Sequence, residues 1–180
     1  MNIAKLFSTE ERVKILENVI FREREFGVNE IAKQLNLSKG LVSKYFEILV
    51  NECVLGRKRR KFYVQNNILV RSLKILFNLQ KIDPKIFRKY KFVRAAGIYG
   101  SSVKGTNTES SDVDLWVKVE KLKEESGIIK LASELRRKIR NVKVLFLDGG
   151  KIRMLREKDP LFYYSLYFGS IIIYGEEGEI

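Results

Sequence analysis

Between Ala95 and Val119 the chain reads AAGIYGSSVKGTNTESSDVDLWVKV, an apolar run closed by Gly100-Ser101, a polar stretch, and a second apolar run carrying Asp112 and Asp114. Two short apolar runs bounded by glycine and polar residues predict strand, flexible loop, strand. Side chains alternate along a strand, so Asp112, Asp114 and Trp116 share one face while Val113, Leu115, Val117 and Val119 share the other. The apolar face is free to enter a core. The two carboxylates then project together, about 6 to 7 Å apart along the strand, a spacing suited to hard divalent cations. Gly100 lets a phosphate approach the backbone, and Ser101 adds a hydroxyl and an N–H. A phosphate cradle beside metal-holding carboxylates points to chemistry on a nucleoside triphosphate.

In order, the segment offers Gly100, Ser101, Lys104, Gly105, Thr106, Ser111, Asp112, Val113, Asp114 and Leu115. This pattern resembles the nucleotidyltransferase superfamily of DNA polymerase beta, and within it the minimal nucleotidyltransferases. The resemblance covers the C-terminal half, where Pro160 to Gly175, PLFYYSLYFGSIIIYG, also looks like the closing helix and strand of these domains. It implies a mixed sheet with flanking helices. It also implies that Asp112 and Asp114 are catalytic and hold two Mg²⁺ (or Mn²⁺) ions, and that Gly100, Ser101 and Lys104 bind the nucleotide. The expected substrate is an NTP, with ATP the first expectation, and the reaction passes a nucleoside monophosphate to a hydroxyl on a protein, an RNA or a small molecule.

One position departs from the pattern. Such domains usually carry a third acid on a neighbouring strand, where it binds metal and takes the nucleophile's proton. The matching strand here is Asn141 to Leu147, NVKVLFL, and Lys143 stands where that carboxylate is expected. Asp148, at the strand end before Gly149-Gly150, is either an ordinary turn residue or a displaced metal ligand. The chain has no His, so no imidazole can stand in as base.

The N-terminal half reads differently. Thr9 caps a helix with Val13, Leu16, Val19 and Ile20 inward; Asn29 and Ser38 are the expected caps of two further helices joined by a turn at Asn36-Leu37. Leu41, Val42, Tyr45, Phe46, Leu49 and Val50 form the inner stripe of the second. Five consecutive cations, Arg57 to Lys61, precede the strand-like Phe62-Tyr63-Val64. From Thr9 to Gln65 this resembles a winged helix-turn-helix domain. The resemblance implies double-stranded DNA as partner, with Ser38, Lys39, Gly40, Ser43 and Lys44 facing the major groove and Arg57, Lys58, Arg59, Arg60 and Lys61 reaching phosphates or a minor groove. A domain used for packing or dimerisation, with a solvated charge run, is the alternative.

Leu69, Leu73, Leu76 and Phe77 predict a connecting helix over residues 66–82, packed on the first domain or making a homodimer, and Asp83-Pro84 marks a boundary. The expected organisation is therefore α+β: residues 1–82 a winged helix-turn-helix with its connecting helix, residues 83–180 a minimal nucleotidyltransferase domain. In the second domain Ile128, Ala132, Leu135 and Ile139 predict a helix from Ser126 to Asn141. Net charge is +13, and 16 of the 35 basic but only 8 of the 22 acidic residues fall in residues 1–82. That surplus suits a phosphate-rich partner. No apolar run reaches the roughly 18 residues of a membrane span and no leader is evident, so no membrane and a cytoplasmic setting are expected. Cys53 is expected as a buried thiol, and one Cys without His excludes a usual zinc site. DNA binding beside the transferase pattern fits an antitoxin-like regulator with a toxin-like protein acceptor. The competing reading is a non-catalytic DNA-binding regulator whose second domain senses nucleotide or docks a partner, with Lys143 its best support.

Overall fold

Polar residues ahead of apolar stripes set most helix starts. In the computed structural model, which describes residues 2–122 and 125–176, helix α1 (Ile3–Phe7) starts at Asn2, and α2 (Glu10–Val19) starts at Thr9, whose hydroxyl accepts the Arg12 N–H. Ser38 likewise caps α4 (Lys39–Asn51) by accepting the Leu41 N–H. Helix α3 (Val28–Leu35) departs from expectation: it starts at Gly27, and Asn29 lies inside its first turn. The backbone of Phe26 is held by paired hydrogen bonds to Phe62, so the helix starts two residues earlier than the side-chain signal suggests. Asn36, left-handed at φ 53°, ends α3 and gives the sharp turn into α4.

The chain divides into two units, Met1–Lys74 and Ile75–Ile180. In the first, Ile15, Leu16, Ile20, Ile31, Val42, Phe46 and Leu49 are fully buried in an apolar core. A hairpin of β1 (Leu55–Lys58) and β2 (Lys61–Val64) follows α4. The rings of Phe26, Phe46 and Phe62 meet edge to face, at 5.7 and 4.8 Å between centroids. Cys53 is not buried as expected; it is exposed, in a left-handed turn at φ 59° just past the end of α4, and Val54 takes the core position instead. Helix α5 (Ile68–Gln80) buries Val70, Leu73, Lys74, Phe77 and Asn78, whereas Leu76 of the expected stripe is half exposed.

In the second unit α6 (Lys85–Arg88) follows Asp83-Pro84, with the Asp83 carboxylate accepting the Lys85 N–H. Then come β3 (Val93–Tyr99), α7 (Ser101–Lys104), β4 (Val113–Val119), α8 (Glu125–Lys138), β5 (Val142–Leu147), α9 (Gly149–Lys158), α10 (Pro160–Gly169) and β6 (Ile171–Tyr174). The strands form one mixed sheet in the order β5-β4-β3-β6, with only β4 and β5 parallel and α8 as their crossover. Helix α8 is shorter than read, but its buried stripe of Leu131, Ala132, Leu135 and the flanking Ile139 keeps the expected phase. Helix α9 stands where only a turn was expected; Asp148 caps it.

The sheet is covered on both faces. Val113, Leu115, Val117 and Val119 of β4 pack with α6 and α8 residues such as Phe87, Leu131 and Leu135. Trp116 points the other way, fully buried with Ala95, Leu147 and Leu166 and flanked by α9 and α10. Gly97 makes room for it: a Cβ there would lie 2.6 Å from the indole. Among the described residues no helix is long and apolar enough to cross a membrane.

Candidate functional site

The polar end of the sheet is built by register. Strand β3 ends at Tyr99, which pairs with Asp114 near the start of β4, so Gly100 comes directly alongside that aspartate. Gly100 has φ 69° and ψ −140°, a conformation that side chains rarely tolerate, and a Cβ there would stand 2.7 Å from Asp114 Oδ2. Backbone and carboxylate therefore meet with no room for a side chain between them. The loop after Gly100 is not simply flexible: it opens with the single turn α7, then Gly105 turns left-handed and Thr106 N–H reaches back to the Ser101 carbonyl.

Buried amides hold that loop from beneath. Asn78 near the end of α5 donates to the Ser102 carbonyl at 2.9 Å and exchanges two hydrogen bonds with Asn107, at 2.9 and 3.0 Å. Both asparagines are buried, so their mutual pairing fixes the loop between Ser102 and Asn107. No local pattern in the sequence singles them out, since a lone Asn on a helix is ordinary. Farther along, Thr108 and Ser111 close a tight turn into β4, with Ser111 Oγ accepting the Thr108 N–H.

Asp112 sits just before β4 and Asp114 two residues on, both partly exposed. Burial raises the Asp114 carboxyl above its usual range; Lys143 opposes that and the charge of Asp112 adds to it. Strand β5 lies parallel to β4 with Lys143 in register with Asp114, and Lys143 Nζ is 2.5 Å from Asp112 Oδ2. Hydrogen bonding to Asp112 holds the Lys143 ammonium above its ordinary range. Tyr99 borders the pair, packed edge-on against Phe162, and its hydroxyl is raised by burial first and by Asp114 second.

Asp148 does not join this group. It is five residues beyond Lys143 on β5, about 16 Å along the strand. Its carboxylate accepts the N–H groups of Lys151 at 2.8 Å and Leu122 at 3.3 Å, and these bonds, Lys151 foremost, lower its carboxyl. Capping is its work. Lys104 is exposed at the end of α7, while Ser101 is the first residue of that turn and half-buried. Among the described residues no group of three or more His, Cys, Asp or Glu comes together.

In the first unit Ser38, Lys39, Gly40, Ser43 and Lys44 are all exposed along the start of α4. The basic run is only partly at liberty: Arg57 pairs with Glu47 at 2.9 Å and Lys58 with Glu25 at 3.5 Å. Arg59 and Arg60 form the two-residue hairpin tip, and Lys61 opens β2.

The sequence profile described as polymerase beta, nucleotidyltransferase matches residues 80–176, more than half of the chain. No curated protein matches it by sequence. Among solved structures, a toxin-antitoxin crystallised with AMP-PNP is similar at 20% identity and TM-score 0.42, over 56% of this chain and 75% of that one. A Sulfolobus solfataricus protein proposed to be a nucleotidyltransferase is similar at 18% identity and TM-score 0.41, over 60% of this chain and 89% of that one.

Proposed function

The chain belongs to the polymerase beta nucleotidyltransferase family, and we propose that its second unit transfers a nucleoside monophosphate from an NTP, with ATP the first to test, to an acceptor hydroxyl, the α–β phosphoanhydride bond breaking and pyrophosphate leaving. The observation that carries this reading is the junction of Gly100 with Asp114, where a glycine backbone in a conformation closed to other residues lies against a carboxylate at the open end of the sheet. Gly100 and Ser101 would bind the phosphates, with Lys104 within the same turn as a further cation. Asp112 and Asp114 supply hard oxygen donors, and Mg²⁺ is commonly held by one or two carboxylates together with substrate phosphates. One such ion therefore fits this donor set. When bound, it neutralises the triphosphate and polarises the α-phosphorus toward attack. Asp114, with the charge of Asp112 beside it, would hold that ion; Tyr99 and Phe162 wall one side of the site.

For the first unit we propose a winged helix-turn-helix that binds double-stranded DNA. Support comes from the short turn between α3 and α4, the exposed polar start of α4, and the hairpin whose tip carries Arg59 and Arg60. Such a combination suits a regulator acting with a protein acceptor, as in an antitoxin-like setting. A sensor that binds nucleotide without transferring it is the second reading, and the ion pair of Lys143 with Asp112 favours it.

The test is incubation of the chain with each α-labelled NTP, Mg²⁺ or Mn²⁺ and cell extract, beside the Asp112→Asn/Asp114→Asn variant. Label passing to an acceptor only with the unmutated chain is the expected result; equal labelling by both would remove the site assignment. Arg59→Glu with Arg60→Glu should weaken duplex DNA binding in a salt-dependent way, and unchanged affinity would remove the DNA-binding reading.

A further inference from the structure

We propose that Lys143 is the resident cation of this site: its ammonium takes the place of a second divalent ion, so that nucleoside triphosphate is held with one Mg²⁺ rather than two. The inference rests on the nucleotide-site reading above. The two-ion arrangement implied by the family pattern needs a third carboxylate on the neighbouring strand, and the structure puts Lys143 in register with Asp114 on that strand. Nothing replaces the missing acid, because the described residues contain no cluster of three potential metal ligands and Asp148 caps a helix at the far end of β5.

The ammonium is not merely near the pair. Lys143 Nζ is 2.5 Å from Asp112 Oδ2, a charge-assisted hydrogen bond that occupies the carboxylate a second metal would need. A divalent ion bridging Asp112 from the same side would be repelled by a fixed positive charge in contact with its own ligand. One carboxylate oxygen uses one of the three ammonium donors; the others remain for phosphate oxygens, which lysine binds as a point charge. The side chain is 69% exposed, so its free donors face the solvent from which a triphosphate would arrive. Asp114, which the ammonium does not contact at hydrogen-bond distance, is left to share the single metal with the phosphates.

The decisive measurement is Mn²⁺ stoichiometry, read by electron paramagnetic resonance, on the full chain with the non-transferable analogue α,β-methylene-ATP. One Mn²⁺ per bound nucleotide is expected for the unmutated chain, and two for Lys143→Asp. Lys143→Met should stay at one Mn²⁺ and lose about tenfold in analogue affinity, the loss of a hydrogen bond to a charged group. Two Mn²⁺ on the unmutated chain would overturn the inference while leaving the nucleotide site intact, as would unchanged affinity in Lys143→Met. Failure of the unmutated chain to bind the analogue with any amount of Mn²⁺ would instead overturn the nucleotide-site reading and the inference with it.

Discussion

The two faces of β4 do different work with the same backbone. On one, Val113, Leu115, Val117 and Val119 are buried in an apolar core against α6 and α8. On the other, Trp116 is buried just as completely, but two residues earlier Asp114 emerges between Gly100 and Lys143. A strand whose second face is half core and half carboxylate has given up full burial at one position, and the partial burial that remains raises the carboxyl of Asp114. Core packing and the proposed site are thus two residues apart on one face of the strand.

That contrast can be broken most sharply on its dry side. Trp116→Ala should cost about 4 kcal/mol and Leu115→Ala about 3 kcal/mol in urea unfolding, the usual range for emptying a packed site. Asp114→Asn, immediately before Leu115 in sequence, should not lower stability. Its raised carboxyl contributes favourably below the unfolded pKa and loses that contribution as pH rises through the folded one, so the Asn chain should be the more stable at neutral pH. The difference should disappear as pH falls below the unfolded pKa. A melting temperature that drops at pH 7 for Asp114→Asn would show that the carboxylate is structural.

Next in size are the parts that hold the loop. Gly100→Ala should cost about 2 kcal/mol, since a Cβ is both strained and pressed on Asp114, and should weaken nucleotide binding beyond that cost. Asn78→Leu removes the donor to Ser102 and the partner of Asn107, for about 2 kcal/mol, and is expected to lower analogue affinity without changing Mn²⁺ stoichiometry. The smallest effect should be at Asp148. Asp148→Ala loses a helix cap worth about 1 kcal/mol while leaving nucleotide affinity alone. Because its carboxyl is lowered, that contribution is present above the unfolded pKa and fades as pH falls through the folded one, which thermal melts between pH 7 and pH 3 can follow.

Much of this arrangement was legible in the chain itself. Alternation at residues 113–119 gave both faces of β4, and the Thr9 and Ser38 caps gave helix starts, because each signal is local. What escaped was decided by pairing at a distance. Asn29 lost the cap because Phe26 is tied to Phe62, Cys53 is exposed because it is itself the left-handed residue that ends α4, and α9 formed where Asp148 before two glycines looked like a turn. The paired asparagines under the loop belong to the same class: residues 78 and 107 reveal nothing until the fold joins them.

The most direct test is calorimetric titration of ATP with Mg²⁺ into the full chain and into Asp112→Asn/Asp114→Asn, at a pH where both are folded. The account predicts Mg²⁺-dependent binding by the unmutated chain and its loss in the variant. Equal, metal-independent binding by both would place the nucleotide elsewhere and contradict the site built from Gly100, Asp112 and Asp114.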